Sequence, residues 1–522
     1  MNNIKLLDCT LRDGGHVTQG KFGENIIKAI ISDLVHAKID VIEAGFLWDT
    51  ETDSDTARFK NIRELKPYLP KDMGSSKISL MADNVDLKDL EPYDGTVEII
   101  RLSFRKNEIE WVKKAAKIVI EKGYKCYINP IHGSAVTDKE YLQIIDMVNE
   151  LKPYGFSIVD TFGAMRQEDL ARLYYLIDYN LDESIEIGVH LHENLGLAYS
   201  LALKMLQIVS PKRRITIDGS LYGMGKIPGN LCIEQIMDHL NIAYQADYVT
   251  EPAYDAIDQY IMPIYQRVGG WGYSIPYALS AQCGVHRTYA EYLSKKERLR
   301  TKDIRRLLKS VDLEKSEAFD EVYIEAKYQA YMNAGFDDSD SMRRLNDRLK
   351  SYENVIILAP GQSVKDLRID SELRAKSCII TVNFEYTNIE TDLCFWTNAK
   401  RIAYATNLDE SKMIITSNLK EDFPNANYVV SRNELTYHND MWSDDSTLML
   451  LNLLKRVGKH EIYIAGFDGF KKSEVNFFSE QYEREVREDD YDIKSRINVL
   501  KSAYASLDIH FLTPSVYETA VR

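Results

Sequence analysis

One unit repeats through the first 240 or so residues: a short apolar run followed by a longer amphipathic stretch. The runs at 4–8, 41–44, 78–81, 97–102, 126–128, 157–161, 185–192 and 215–218 read as strands. Most are separated by stretches with helical spacing, such as 25–38, 108–122 and 138–152. Eight strand–helix units over that length match a (β/α)8 barrel in both count and size. Barrel enzymes place their chemistry at the C-terminal ends of the strands, which directs attention to the residues that close each run.

At 522 residues the chain exceeds one ordinary domain. Residues 1–250 are expected to form the barrel, and 251–350 an all-helical extension with helices near 301–309 and 317–333 and a linker near 337–352. Residues 351–522 are expected to form a second α/β domain. There, runs at 355–358, 378–383, 392–396, 413–416, 461–466 and 509–512 predict an open, mostly parallel sheet of the Rossmann-like kind.

Hydrophobic residues make up 45% and charged residues 28%, as in a soluble globular protein. A formal net charge of −15 argues against nucleic-acid or anionic-membrane binding. The six cysteines (Cys9, Cys126, Cys232, Cys283, Cys378 and Cys394) show no CxxC spacing and read as reduced. No signal-peptide core and no membrane-length apolar run is present, so a cytoplasmic protein, expected to be a homo-oligomer, is the reading.

Two strand ends carry metal-type chemistry. The first run leads into Asp8-Cys-Thr-Leu-Arg12-Asp13-Gly-Gly-His16, and the seventh ends at His190-Leu-His192. On a strand, residues i and i+2 share a face, so His190 and His192 can bind one ion together. Asp13 adds a hard oxygen ligand, and Arg12 a fixed cation for a developing oxyanion. Mixed nitrogen and oxygen ligands suit Mn²⁺ or Mg²⁺ and admit Co²⁺ or Zn²⁺. A site left open for chelation by substrate favours the first two.

Four motifs in order, Asp8-x-Thr-Leu-Arg12-Asp13-Gly, Val41-Ile-Glu43-Ala-Gly, His190-x-His192-x-Asn194-x-Gly196 and Gly223-x-Gly225 followed by Asn230, resemble the metal-dependent lyase/aldolase barrels. That superfamily includes 4-hydroxy-2-oxovalerate aldolase, HMG-CoA lyase, isopropylmalate synthase and homocitrate synthase, and the resemblance covers about residues 1–290. It implies that Asp13, His190 and His192 are metal ligands, with Asn230 ligating or close to the metal. It further implies that Arg12 stabilises an enolate and that Glu43 holds the arginine or a metal-bound water.

Gly15-His16 is similar to the aldolase branch, where a histidine three residues after the metal aspartate serves the substrate's 4-hydroxyl as acid and base. The synthase branches typically carry Glu and Gln there. The glycine loop 223–229 lacks the cysteine of HMG-CoA lyases, and Cys232 lies beyond Asn230. Tyr289 matches a tyrosine that orients the aldolase substrate. The helices after it resemble the aldolase extension that docks an acylating aldehyde dehydrogenase, although nothing in the sequence shows such a partner.

Beyond residue 353, Ala359-Pro-Gly361-Gln-Ser363 follows a strand, a geometry in which backbone amides and a hydroxyl can meet a phosphate. With Asn383, Gly466-Phe-Asp468-Gly, Asp492-Ile-Lys and Phe511-Leu-Thr-Pro-Ser515, it resembles bacterial CMP-sialic-acid-dependent sialyltransferase domains, more loosely than the barrel resembles its family. The resemblance implies that Gly361, Ser363 and Asn383 hold CMP or a nucleotide sugar. Two departures stand out: Ala359-Pro360 replaces the usual Gly-Asn, and 480–490 contains no histidine to act as the transferase base.

The reading is therefore an α/β chain that joins a metal-dependent aldolase barrel to a nucleotide-binding domain. The barrel would interconvert a 4-hydroxy-2-oxo acid with pyruvate, or a related 2-oxo acid, and an aldehyde. The second domain points to bacterial surface-polysaccharide biosynthesis. The alternatives are an acyl-CoA-dependent Claisen condensation on the same barrel, or a non-catalytic nucleotide-sugar-binding protein.

Overall fold

The computed structural model describes residues 3–50, 53–131, 137–226, 228–296, 298–436, 445–471, 475–479, 482 and 493–518. The eight apolar runs of the first part are parallel strands: β1 (Ile4–Asp8), β2 (Val41–Leu47), β4 (Lys77–Asp83), β5 (Ile99–Phe104), β6 (Lys125–Pro130), β7 (Gly155–Val159), β8 (Glu186–His190) and β9 (Ile215–Gly219). Each pairs with its neighbour, and β1 pairs with both β9 and β2, which closes the sheet into a barrel. A two-residue strand, β3 (Arg58–Phe59), flanks β2 on the outside and is not signalled by any apolar run.

Helix spacing explains the outer layer. The helix Glu24–His36 buries Ile27, Ile30, Ile31 and Leu34, and Ile109–Glu121 buries Val112, Ala115, Ala116 and Val119. Both follow the i, i+3, i+4, i+7 pattern of one helical face. Each large aliphatic side chain removed from water this way contributes about 1.5–3 kcal/mol. Asp138–Leu151 starts at a capping box, in which Glu140 N donates to Thr137 Oγ1 and Thr137 N donates to Glu140 Oε2.

Two compact units divide the chain: Met1–Glu291 with Leu308–Phe319, and Tyr292–Leu307 with Asp320–Arg522. Among the described residues, 251–350 contain helices and no strand. The stretch read as a linker instead holds the helix Ser339–Leu349, whose Leu345 and Leu349 are fully buried. Its many charged positions mask a narrow apolar stripe.

The second unit is built on β10 (Asn354–Leu358), β11 (Ser377–Val382), β12 (Leu393–Trp396), β13 (Met413–Thr416), β14 (Tyr428–Val430), β15 (Glu461–Ala465) and β16 (Asp508–Phe511). All pairings are parallel, in the order β14-β13-β12-β11-β10-β15-β16. The order reverses at β10, so the loop after β10 lies at the topological switch point, where open α/β sheets bind ligands. Sequence reading misses β14, only three residues long. No described helix is long and apolar enough to cross a membrane.

Candidate metal and active site

The loop after β1 is shaped by its own first residue. Asp8 is fully buried and accepts hydrogen bonds from Thr10 N (2.9 Å) and Thr10 Oγ1 (2.8 Å), and Thr10 Oγ1 accepts Leu221 N at 2.8 Å. Asp13 N then donates to Cys9 O at 2.7 Å. This turn carries Arg12 and Asp13 into the barrel mouth, where both are buried.

Asp13, His190 and His192 offer ligand atoms that all lie within 4.8 Å of one another. His192 Nδ1 donates to the Asp160 carbonyl at 2.7 Å, and His190 Nδ1 faces Asp218 Oδ2 at 3.0 Å. Those partners leave the Nε2 lone pairs for an ion, the usual arrangement behind a ligating imidazole. Asn230 Nδ2 donates to Asp13 Oδ2 at 2.8 Å, while its Oδ1 is buried with no hydrogen-bond partner. A carboxylate, two imidazoles and an unsatisfied amide oxygen fit a divalent ion. Gly225 is required there: a Cβ would stand 2.3 Å from Asn230 Nδ2 and 2.7 Å from Asp13 Oδ2.

Around this cluster runs a buried chain of ion pairs. Arg12 Nη1 meets Asp13 Oδ1 and Arg12 Nε meets Glu43 Oε2, both at 2.6 Å. Glu43 Oε1 meets Arg101 Nη1 at 3.2 Å, and Arg101 Nη2 meets Asp218 Oδ2 at 2.5 Å. Arg101 Nη2 also donates to Asn129 Oδ1 at 3.1 Å. With Asp218 against His190, the path from one ligand to another crosses five barrel strands or their ends. Burial alone would raise the Asp13 carboxyl, but Arg12, His190, His16 and His192 hold it well below the usual carboxylate range. Asp218 is lowered in the same way: Arg101 and His190 outweigh its burial. Burial and the neighbouring His190 push His192 down to about 4, so it is a neutral ligand at pH 7.

His16 is exposed and edge-on to Phe46, with ring centroids 5.7 Å apart. The surrounding walls, and then Arg12, Lys226 and Arg287, push its imidazole down to about 4 against the pull of Asp13. It is therefore a neutral base at pH 7. Tyr289 stands apart from this group. It is fully buried, and its hydroxyl lies 2.9 Å from the carbonyls of Lys315 and Ala318.

Arg101, Asn129, Asp160 and Asp218 are the members that sequence reading missed. A signal existed: Arg101 interrupts the apolar run Ile99–Phe104, and Asp218 is the acid near the end of Ile215–Gly219.

In the second unit the three residues expected to hold a nucleotide fall into two groups. Gly361 N donates to Gly466 O at 2.8 Å, and a Cβ at Gly361 would lie 2.3 Å from that oxygen and 2.7 Å from the Asp468 carboxyl. Ser363 N donates to Asp468 Oδ2 at 2.8 Å, and its hydroxyl bonds Asp468 and Thr513. Asn383 instead donates to Thr397 Oγ1 (2.9 Å) and Ser446 Oγ (2.7 Å) and accepts Thr397 N at 2.8 Å. Residues 480, 481 and 483–492 lie outside the described residues, so the segment without histidine and Asp492 are not placed.

Residues 3–257 match the family model described as HMGL-like. A 2-isopropylmalate synthase from Methylacidiphilum infernorum is 30% identical over 251 residues, which are 45% of this chain and 48% of that protein. A 4-hydroxy-2-oxovalerate aldolase from Geobacillus genomosp. 3 is 22% identical over 270 residues, 48% of this chain and 78% of that protein. The solved HMG-CoA lyase from Brucella melitensis aligns over 51% of this chain and 99% of its own, with 14% identity and a TM-score of 0.42. The chain spans about half the length of the isopropylmalate synthases it matches.

Proposed function

We propose, on the match of residues 3–257 to the HMGL-like family model, that the chain is a divalent-metal-dependent carbon–carbon lyase acting on a 4-hydroxy-2-oxo acid. The observation that carries this reading is the convergence of Arg12, the Asp13/His190/His192 set and a neutral His16 at one barrel mouth. Asp13, His190, His192 and Asn230 would hold a divalent ion, which would supply Lewis-acid polarisation of the 2-oxo acid. Mn²⁺ and Mg²⁺ suit that role best.

The protein's own groups do the rest. His16 takes the proton from the 4-hydroxyl as the C3–C4 bond breaks and the aldehyde forms, a role worth about 10²–10⁴-fold in rate. The bond's electron pair moves onto the 2-oxo oxygen. Arg12, with Nε and Nη1 held by Glu43 and Asp13, keeps Nη2 to stabilise that oxygen as it becomes negative. In the reverse direction His16 returns the proton to the new alkoxide.

A Claisen condensation with an acyl-CoA is the second reading, favoured by the 30% identity to an isopropylmalate synthase. Incubation of the Mn²⁺-loaded protein with pyruvate and aldehydes, and separately with acetyl-CoA and 2-oxo acids, separates the two. Release of free CoA thiol would sink the lyase reading.

For the second unit we propose a cytidine-nucleotide or nucleotide-sugar site at the β10 turn, which would link the lyase product to surface-polysaccharide assembly. Its support is the position of Gly361 and Ser363 at the sheet's switch point. Asp468, which bonds Ser363, would have to yield to a phosphate. Thermal shifts with CMP, CDP and UDP sugars test it, and the absence of any shift counts against it.

A further inference from the structure

The barrel mouth carries positive charge that this chemistry does not use. Lys226 N donates to Asp13 Oδ2 at 3.0 Å, which fixes the residue beside the ligand cluster. Its exposed side chain lies within electrostatic reach of Arg287, Arg105, Asp13 and Asp83. Arg105 is answered by Asp83 at 3.5 Å and Glu108 at 3.4 Å. Lys226 forms no ion pair among the described residues.

Arg287 opens the helix Arg287–Ser294, and its Nε and Nη1 are shielded from solvent without a hydrogen-bond partner. Its one ion pair among the described residues, Nε to Glu291 Oε1, is 3.9 Å long, beyond hydrogen-bond range. Beside it, His286 Nδ1 accepts Thr288 N at 3.4 Å, which puts the ring proton on Nε2. Burial, Lys226 and Arg287 push His286 down to about 4, so it is a neutral donor at pH 7. Two guanidinium N–H groups that water does not reach and no acceptor meets favour an anion that supplies the acceptor. Arginine forks are suited to carboxylates and phosphates. Asp13 accepts Lys226 N on Oδ2 and His16 N on its carbonyl, each at 3.0 Å, so Lys226 stands beside the group assigned to the aldehyde-forming carbon and the subsite is placed toward that end of the substrate.

Building on the lyase reading, we propose that Lys226 and Arg287, with His286 beside them, bind a second anionic group at the aldehyde-derived end of the substrate. The aldehyde is then a carboxylated or phosphorylated one, not a neutral alkanal.

Titration calorimetry on the full, Mn²⁺-loaded chain saturated with pyruvate tests this without turnover, using glycerol 3-phosphate and glutarate as unreactive probes. One probe should bind, and Lys226→Gln and Arg287→Gln should each weaken it about tenfold or more; which probe binds tells phosphate from carboxylate. Binding of neither probe, or equal binding by wild type and variants, overturns the proposal. Circular dichroism melts check that each variant folds, and Lys226, exposed, serves alone if the Arg287 variant does not. A parallel arm compares kcat/KM for pyruvate with glyceraldehyde 3-phosphate, succinate semialdehyde and propanal. If propanal reacts as well as the anionic aldehydes, the subsite fails and the lyase reading survives. If no aldehyde reacts yet the variants lose probe binding, the subsite stands and the lyase reading falls.

Discussion

Arg101 Nη2 sits 2.5 Å from Asp218 Oδ2, the same oxygen that faces His190 Nδ1 at 3.0 Å. A guanidinium on β5 thereby sets the orientation of an imidazole on β8 through a carboxylate on β9. The other face of Arg101 reaches Glu43 and, through it, Arg12 and Asp13. Asp13 and His190 are thus tied by a single buried path of alternating charges.

Arg101→Met should therefore be costly twice over. It strands the buried carboxylates of Glu43 and Asp218, which destabilises the fold by about 3–5 kcal/mol. It also frees His190, and loss of such a support lowers metal affinity by roughly 10–100-fold. Thermal melting and Mn²⁺ titration read the two effects separately. Unchanged Mn²⁺ affinity in a folded variant would show that Arg101 positions nothing.

His190→Ala removes one of the three clustered ligand groups. Elemental analysis of the purified variant should find divalent metal at a small fraction of the wild-type content, and chelation of wild type with EDTA should abolish turnover until Mn²⁺ is restored. Equal metal content in both proteins would refute the assignment.

Arg12→Lys keeps the charge and loses the fork that meets Asp13 and Glu43 together. Loss of an oxyanion-stabilising donor lowers kcat about 10²–10³-fold. Steady-state kinetics should show that fall in kcat with a smaller change in KM. A change confined to KM would assign Arg12 to ground-state binding only.

Burial pushes the Asp8 carboxyl up to about 7; the two Thr10 hydrogen bonds oppose this, and Glu234 and Glu43 reinforce it. Its folded pKa thus exceeds the unfolded value near 3.9. The folded state holds this proton more tightly, so the stabilisation is complete below about pH 4 and is lost as pH rises through about 7. Asp8→Asn does not titrate. Its melting temperature should therefore rise relative to wild type between pH 4 and pH 7 and level off above. A difference that stays constant over that range would contradict the shift.

Much of both sheets was readable because period is a local property. Each strand is a run of apolar side chains and each helix an i, i+3, i+4 pattern, so Ile4–Asp8 and Met413–Thr416 emerge at their observed bounds. Where the apolar signal was short or diluted by charge, reading failed. Tyr428–Val430 is three residues long, and the helix Ser339–Leu349 hides Leu345 and Leu349 among acids and bases. In both, burial against the rest of the second unit outweighs a weak local preference.

The chain's order of residues by itself determined the (β/α)8 alternation, the HxH pair at the end of its strand and the Arg12-Asp13-Gly turn, because backbone periodicity is local; His192 itself lies just past the strand Glu186–His190. Only the tertiary structure decided that Arg101 and Asp218 stand behind His190, that Tyr289 faces the carbonyls of Lys315 and Ala318, and that Asp468 already bonds Ser363. Those relationships join residues 26 to 117 positions apart, across strands or loops. No local pattern encodes such a distance, because it is set by which strands the closed sheet makes neighbours.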